Sequence, residues 1–139
     1  MKANIFGTDV NLVCFKCGLD QGRTTVGELP DEPRCSSCGS GLLVPCYWGT
    51  AKVTGLLPKK AAKEQLSDEE RGELAKARRG ADLVLSYGKK AVIAQTVYGI
   101  GPQTASRVLA EMRDDEEAFY RDLLEAKIRF VTTRQFWSN

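Results

Sequence analysis

The sequence predicts an α+β chain in two unlike parts, a small β unit over residues 1–58 and an all-α domain over 59–139. Three observations carry this. Two cysteine pairs, Cys14-Phe15-Lys16-Cys17 and Cys35-Ser36-Ser37-Cys38, stand in the first part, each followed at once by a glycine, Gly18 and Gly39. From Lys60 onward the composition turns to alanine, leucine, lysine and glutamate, which favour helix. At the start of that stretch Ser67-Asp68-Glu69-Glu70 has the form of a capping box.

The cysteine spacing is that of a four-thiolate metal site. Two residues between cysteines let both sulfurs of one turn reach a single ion, and the glycine lets the backbone close tightly beneath them. Seventeen residues separate the pairs, enough for a strand, a turn and a strand back. Residues 10–48 therefore read as a zinc ribbon holding one structural Zn²⁺ on Cys14, Cys17, Cys35 and Cys38. Iron in the same thiolate cage stays open, because the ligands do not by themselves distinguish the ions. Two disulfides or free core thiols are the plainer alternatives. A single further cysteine, Cys46, reads as an ordinary thiol.

The elements follow in order. Asn11 to Phe15 is a short apolar strand entering the first cysteine turn, and Arg23 to Val26 is a β-prone segment on the way back. Gly27 to Pro33 is a turn-forming connection with two prolines, and Leu42 to Val44 is a strand after the second cysteine turn. Gly49 to Lys60 is a transition. A helix is expected from Ser67 to about Arg79, stopping near Gly80, with a further helical segment over Ala81 to Ser86. Lys89 to Val97 and Pro102 to Met112 are helices, and Asp114-Asp115 starts a long one to about Thr132. Phe119, Leu123, Ala126 and Phe130 lie on it at helical spacing and read as core. The acids Asp114 to Glu117 complement the helix dipole and would repel nucleic acid, so that end should face away from any phosphate. Phe136 and Trp137, near the end of the chain, either fold back into the core or stack on bases or a partner.

The bulk numbers set bounds. Hydrophobic residues make up 42% and charged residues 27%, as in a soluble globular protein. No apolar run approaches the ~20 residues that span a bilayer, and no signal peptide is visible, so the expected location is cytoplasmic, where paired cysteines mean metal rather than disulfide. The formal charge is +2, which an ion in four thiolates brings close to zero. Any nucleic-acid affinity must then come from local placement of charge. Histidine is absent, which excludes Cys/His zinc sites, Ser–His or Cys–His nucleophiles and a histidine base. Gly88-Lys89-Lys90 is too short to be a phosphate-binding loop. The chain reads as a non-enzyme.

The segment Val97-Tyr98-Gly99-Ile100-Gly101-Pro102-Gln103-Thr104-Ala105-Ser106-Arg107-Val108-Leu109 resembles a helix-hairpin-helix, the resemblance covering roughly residues 88–112. Both glycines permit a hairpin that side chains would block. Ile100 would pin it from inside, and Pro102 suits the first helical turn. The backbone N–H groups of Gly99, Ile100 and Gly101 and the helix start would then form a concavity for phosphate, with a hydroxyl from Thr104 and charge from Lys89, Lys90 and Arg107. The plainer readings are a helix–helix turn without a ligand and a solvated basic face.

Taken in order, the four-cysteine ribbon, the run Ala81-Asp82-Leu83-Val84-Leu85-Ser86-Tyr87-Gly88-Lys89-Lys90-Ala91, the glycine hairpin, Phe119 to Ala126 and the closing Thr133-Arg134-Gln135-Phe136-Trp137 resemble the C-terminal region of archaeal superfamily-two helicases of the DEAD/DEAH-box, superkiller-like and large-helicase-related kind. The resemblance implies an accessory region that binds DNA or RNA beside helicase motor domains, and this chain carries no motor motif. The expected function is thus non-catalytic grip on the sugar-phosphate backbone. The alternative is a zinc-ribbon module that docks on a protein.

Overall fold

The structure, a computed structural model, describes residues 6–46, 56–57, 59–60, 63–111 and 116–138, with residues 46, 116 and 129–138 described by backbone alone. It is an α+β fold. Strands β1 (Asp9–Cys14), β2 (Asp20–Thr25) and β3 (Leu43–Cys46) precede helices α1 (Asp68–Tyr87), α2 (Lys89–Val92), α3 (Pro102–Ala110) and α4 (Glu116–Ser138). A π-helical turn, Ile93–Val97, continues α2.

The sheet is antiparallel in the order β2-β1-β3, so the earliest strand is central. Its sequence explains why. Successive side chains of a strand point to opposite faces, and β1 is apolar at consecutive positions rather than alternate ones. Val10, Leu12 and Cys14 enter the core shared with the later helices, which includes Ile93, Ile100, Leu109, Phe119 and Leu123. Val13, followed by Phe15 just past the strand, enters a second cluster with Val44, Leu74, Ala77 and Ala81. β1 is therefore buried on both faces. β2, by contrast, is polar and lies on an edge, with Asp20 Oδ1 accepting from Gly22 N at 2.8 Å. Pro45, which lacks an N–H, sits on the other edge strand opposite Leu12.

Sheet and helices thus share their apolar interior. The expected boundary at residue 58 falls beside Pro58, outside the described residues, as does most of the transition over 49–60. The start of the long helix at Asp114 and Asp115 and the side chains of Phe130, Phe136 and Trp137 also lie outside them. Within the described part of α4, Phe119, Leu123 and Ala126 are buried at the anticipated spacing.

The capping box forms as the sequence predicts. Glu70 N donates to Ser67 Oγ at 3.1 Å and Ser67 N donates to Glu70 Oε1 at 3.0 Å. These bonds, with the Lys59 ammonium 3.3 Å from Glu70 Oε2, hold the Glu70 carboxyl below its usual 4.5. Ser67→Ala should lower stability by about 1 kcal/mol in urea denaturation. A carboxylate with a depressed pKa stabilises the fold above its unfolded pKa, and the contribution is lost as pH falls through the folded value. The stability gap between the native chain and Glu70→Gln should therefore close as pH drops below 4.5.

The helix does not stop at Gly80. It runs unbroken to Tyr87, because Ala81, Leu83 and Val84 carry its buried face onward. Gly80 serves packing instead. Buried Gln95, in the π turn, donates Nε2 to Gly80 O at 3.2 Å and to Ala91 O at 3.2 Å. A Cβ at position 80 would lie 2.7 Å from Gln95 Oε1. The helix ends at Gly88, whose N–H reaches Val84 O at 2.7 Å and whose φ is +65°.

Candidate metal centre

Each cysteine turn is built the same way. Gly18 N donates to Cys14 O at 2.9 Å, and Gly39 N donates to Cys35 O at 3.0 Å. Cys14 N donates to Leu19 O at 2.9 Å, and Cys35 N to Ser40 O at 2.8 Å. Both glycines adopt positive φ, +81° and +74°, which a side chain would strain. Within the turns Cys17 N approaches Cys14 Sγ and Ser37 N approaches Cys35 Sγ, each at 3.4 Å. The local sequence thus forms two matched loops, each aiming backbone N–H groups at a sulfur.

The fold brings the loops face to face. The four sulfurs lie within 4.8 Å of one another, with Cys14 and Cys38 at 3.6 Å and Cys17 and Cys35 also at 3.6 Å. A disulfide would need about 2.05 Å, and all four are free thiols. Tetrahedral coordination with metal–sulfur bonds of about 2.3 Å requires sulfur–sulfur edges near 3.8 Å. Cys14, Cys17, Cys35 and Cys38 therefore could hold one metal ion. Cys14 and Cys35 are buried in the main core, whereas Cys17 and Cys38 face solvent. The side chain of Cys46 is outside the described residues.

The electrostatics separate the cysteines. N–H donation from Cys38, then from Ser37 and the Gln21 amide, pulls the Cys35 thiol down to about 6. Cys17 is pushed up to about 12. The Leu19 N–H pulls it down, but partial desolvation and the sulfurs of Cys35, Cys14 and Cys38 together push it up further. The cluster on its own keeps a proton that an ion would displace, and an ion's positive charge lets four sulfurs sit together as thiolates. Between the first pair, buried Phe15 has the Lys60 ammonium 4.2 Å from its ring centroid and 3.2 Å from its carbonyl oxygen.

The hairpin residues lie elsewhere in the structure. Gly99 is exposed with φ +64°, Ile100 is fully buried, and Gly101 starts α3 with an extended backbone. Thr104 is half-buried and Arg107 is exposed on α3. Lys89 is turned toward the β part, its Nζ donating to Leu29 O at 3.1 Å. The Lys90 ammonium lies 5.7 Å from the Phe119 ring centroid.

Gln21, which spans the two cysteine turns, escaped the sequence reading. A glutamine in a polar strand has no spacing signature, and only the pairing of β2 with β1 brings it to the sulfurs. Comparison with family models, curated proteins and solved structures finds no match for this chain. No helix of the described residues is long and apolar enough to cross a membrane.

Proposed function

We propose that this chain is a non-catalytic nucleic-acid-binding module: a zinc ribbon, its one Zn²⁺ structural, joined to a helix-hairpin-helix that grips the sugar-phosphate backbone of DNA or RNA. The observation that carries the reading is the open backbone at Gly99 and Gly101; the Ile100 N–H, expected to face the phosphate, is instead turned inward and donates to Ala94 O at 3.2 Å. A Cβ added at Gly99 or Gly101 would meet nothing within 4 Å, so a ligand can approach the main chain there. Ile100, fully buried, anchors the hairpin from behind. The start of α3 has no side-chain cap and no acid in its first turn, whereas the start of α1 is sealed by Ser67 and Glu70. Uncapped N–H groups at a helix start favour an anion, and Thr104 and exposed Arg107 lie on that helix. Zinc is favoured over iron by its preference for closed four-thiolate structural sites. The sequence resemblance adds a context, in which the module serves helicase motor domains that this chain lacks.

Contacts of this kind read phosphate rather than base, so binding should be insensitive to sequence and sensitive to salt. Gly101 is the position to test, because its φ of −63° and open surroundings accept a side chain without strain. Gly99, at positive φ, would not. Labelled fork, duplex and single strands of DNA and RNA would be titrated by fluorescence anisotropy across a salt series. Gly101→Glu should keep its circular dichroism and bind at least about tenfold more weakly. With about two or three phosphates engaged, log K should fall with log salt at a slope of about −2 to −3 on duplex. A folded, metal-loaded chain that binds no strand at low salt overturns the reading.

A second reading, a ribbon that docks on a protein, is favoured by Leu19 and Phe6. Both are exposed, Leu19 just past the first cysteine turn and Phe6 before β1. It becomes the better reading if the strands fail to bind.

A further inference from the structure

We propose that Gln21 is a positioning residue of the metal centre, holding Cys35 on its ion and locking the two cysteine turns to each other. The inference rests on the metal-site reading of the four cysteines. Gln21 is half-buried in β2 and belongs to neither cysteine turn. Its Nε2 lies 3.3 Å from Cys35 Sγ and 3.1 Å from Leu19 O. Its Oε1 accepts from Ser36 N at 3.0 Å. Leu19 O also accepts from Cys14 N, so it belongs to the first turn, while Cys35 and Ser36 belong to the second.

One amide therefore touches both turns. The backbone N–H groups of Cys17 and Ser37 serve sulfurs of their own turns only. Among the described hydrogen bonds, those that join residues 14–19 directly to residues 35–40 run through Gln21, apart from the approaches of sulfur to sulfur; just past the second turn, Phe15 N also donates to Leu42 O at 2.8 Å. The partners also fix which end of the amide is which. Turning it over would set Oε1 against a thiolate and a carbonyl, all acceptors, and Nε2 against an N–H, both donors. The sequence supports the same use of the residue, because glutamine offers donor and acceptor at the end of a side chain long enough to span the gap.

An N–H held on a coordinated sulfur orients that sulfur and offsets its charge. Partners of metal ligands of this kind typically alter metal affinity 10–100-fold when removed. For Cys35 the effect should be on retention, since the sulfur must swing away from the ion before the ion can leave. The two turns, once untied, can separate more easily.

The test uses the full chain loaded with Zn²⁺, with Gln21→Leu and Gln21→Glu as variants. Leucine removes every polar contact. Glutamate keeps an acceptor for Ser36 N but presents no N–H to the sulfur. Zinc release into an excess of chromophoric chelator would be timed for each, after circular dichroism and metal content show folded, one-to-one protein. Both variants should release zinc roughly 10–100-fold faster than the native chain, with glutamate at least as fast as leucine. The same proteins loaded with Co²⁺ should show shifted thiolate-to-metal charge-transfer bands, which a role confined to packing would not move. Release within twofold of native in both variants, with unchanged Co²⁺ bands, overturns the inference. Fast release by leucine but native release by glutamate overturns the sulfur contact and leaves only the tie to Ser36. If the native chain takes up neither Zn²⁺ nor Co²⁺, the metal-site reading itself fails, an outcome visible before any variant is made.

Discussion

Stripping the proposed zinc ion should unfold the sheet and loosen the helices packed on it. The reason lies in where the sulfurs sit. Cys14 and Cys35 are 0% and 3% exposed and belong to the same apolar cluster as Ile100, Leu109 and Phe119. Without an ion, that core is left with crowded polar sulfurs that no metal draws together, and the two turns lose the bonds that would join them. The sheet has little else to hold its outer part, since β2 is a polar edge and none of its side chains is buried. Binding of structural zinc by four thiolates contributes on the order of 10 kcal/mol to folding, comparable to the whole stability of a small domain. A strong chelator should therefore abolish the β signal in circular dichroism and lower the melting temperature by tens of degrees, and restored zinc should reverse both. The ligands should differ in effect. Cys35→Ser places a hydroxyl in the core as well as losing a ligand, whereas Cys17→Ser changes an exposed position. Cys35→Ser should be the more damaging by thermal melting and by metal content. A chain with no bound metal and an unchanged melting temperature would refute the expectation.

Gly88→Ala should destabilise the fold by about 3 kcal/mol or more, the upper end for a point substitution. Two independent effects act at this position. The backbone sits at φ +65°, ψ −136°, a region that a side chain enters only at a cost of about 1–3 kcal/mol. A Cβ there would also overlap the carbonyl oxygen of Asp31, which is backbone and cannot rotate away. That carbonyl accepts from Lys89 N at 2.9 Å, and Lys89 Nζ donates to Leu29 O at 3.1 Å. The substitution would therefore also pry the 29–31 loop off the start of α2. Gly72→Ala is the matched control. Gly72 is an exposed residue inside α1 with nothing within 4 Å of an added Cβ. It should instead stabilise by about 0.5–1 kcal/mol, through better helix propensity. Urea denaturation of both variants separates the effects. Equal shifts would show that neither the backbone strain nor the contact with Asp31 carries weight.

The contrast between Gly80 and Gly88 shows what one dimension of sequence can and cannot reveal. Both glycines lie in a helix-rich stretch, and either is a plausible stop. Gly80 stays helical because Ala81, Leu83 and Val84 have a core to face and Gln95 needs room beside it. Gly88 terminates the helix because a loop far away in sequence comes to rest against it. The capping box at Ser67, by comparison, was legible from four letters, since both of its bonds lie within one helical turn. The apolar spacing of Phe119, Leu123 and Ala126 was equally legible, because a helix repeats its own face.

The sequence by itself determined what depends on near neighbours: the two cysteine turns with their positive-φ glycines, the start of α1, the glycine hairpin with Ile100 inward, and the α+β order of the elements. Only the tertiary structure decided what depends on distant ones. It set β1 between two apolar clusters, brought Cys14 to Cys38 and Cys17 to Cys35, placed Gln21 across both turns and turned Lys89 toward Leu29. The physical reason is range. Turn geometry, caps and helical periodicity are settled by contacts a few residues apart. Which face of a central strand meets which helix, and where a lysine ends, is settled by the packing of the whole core.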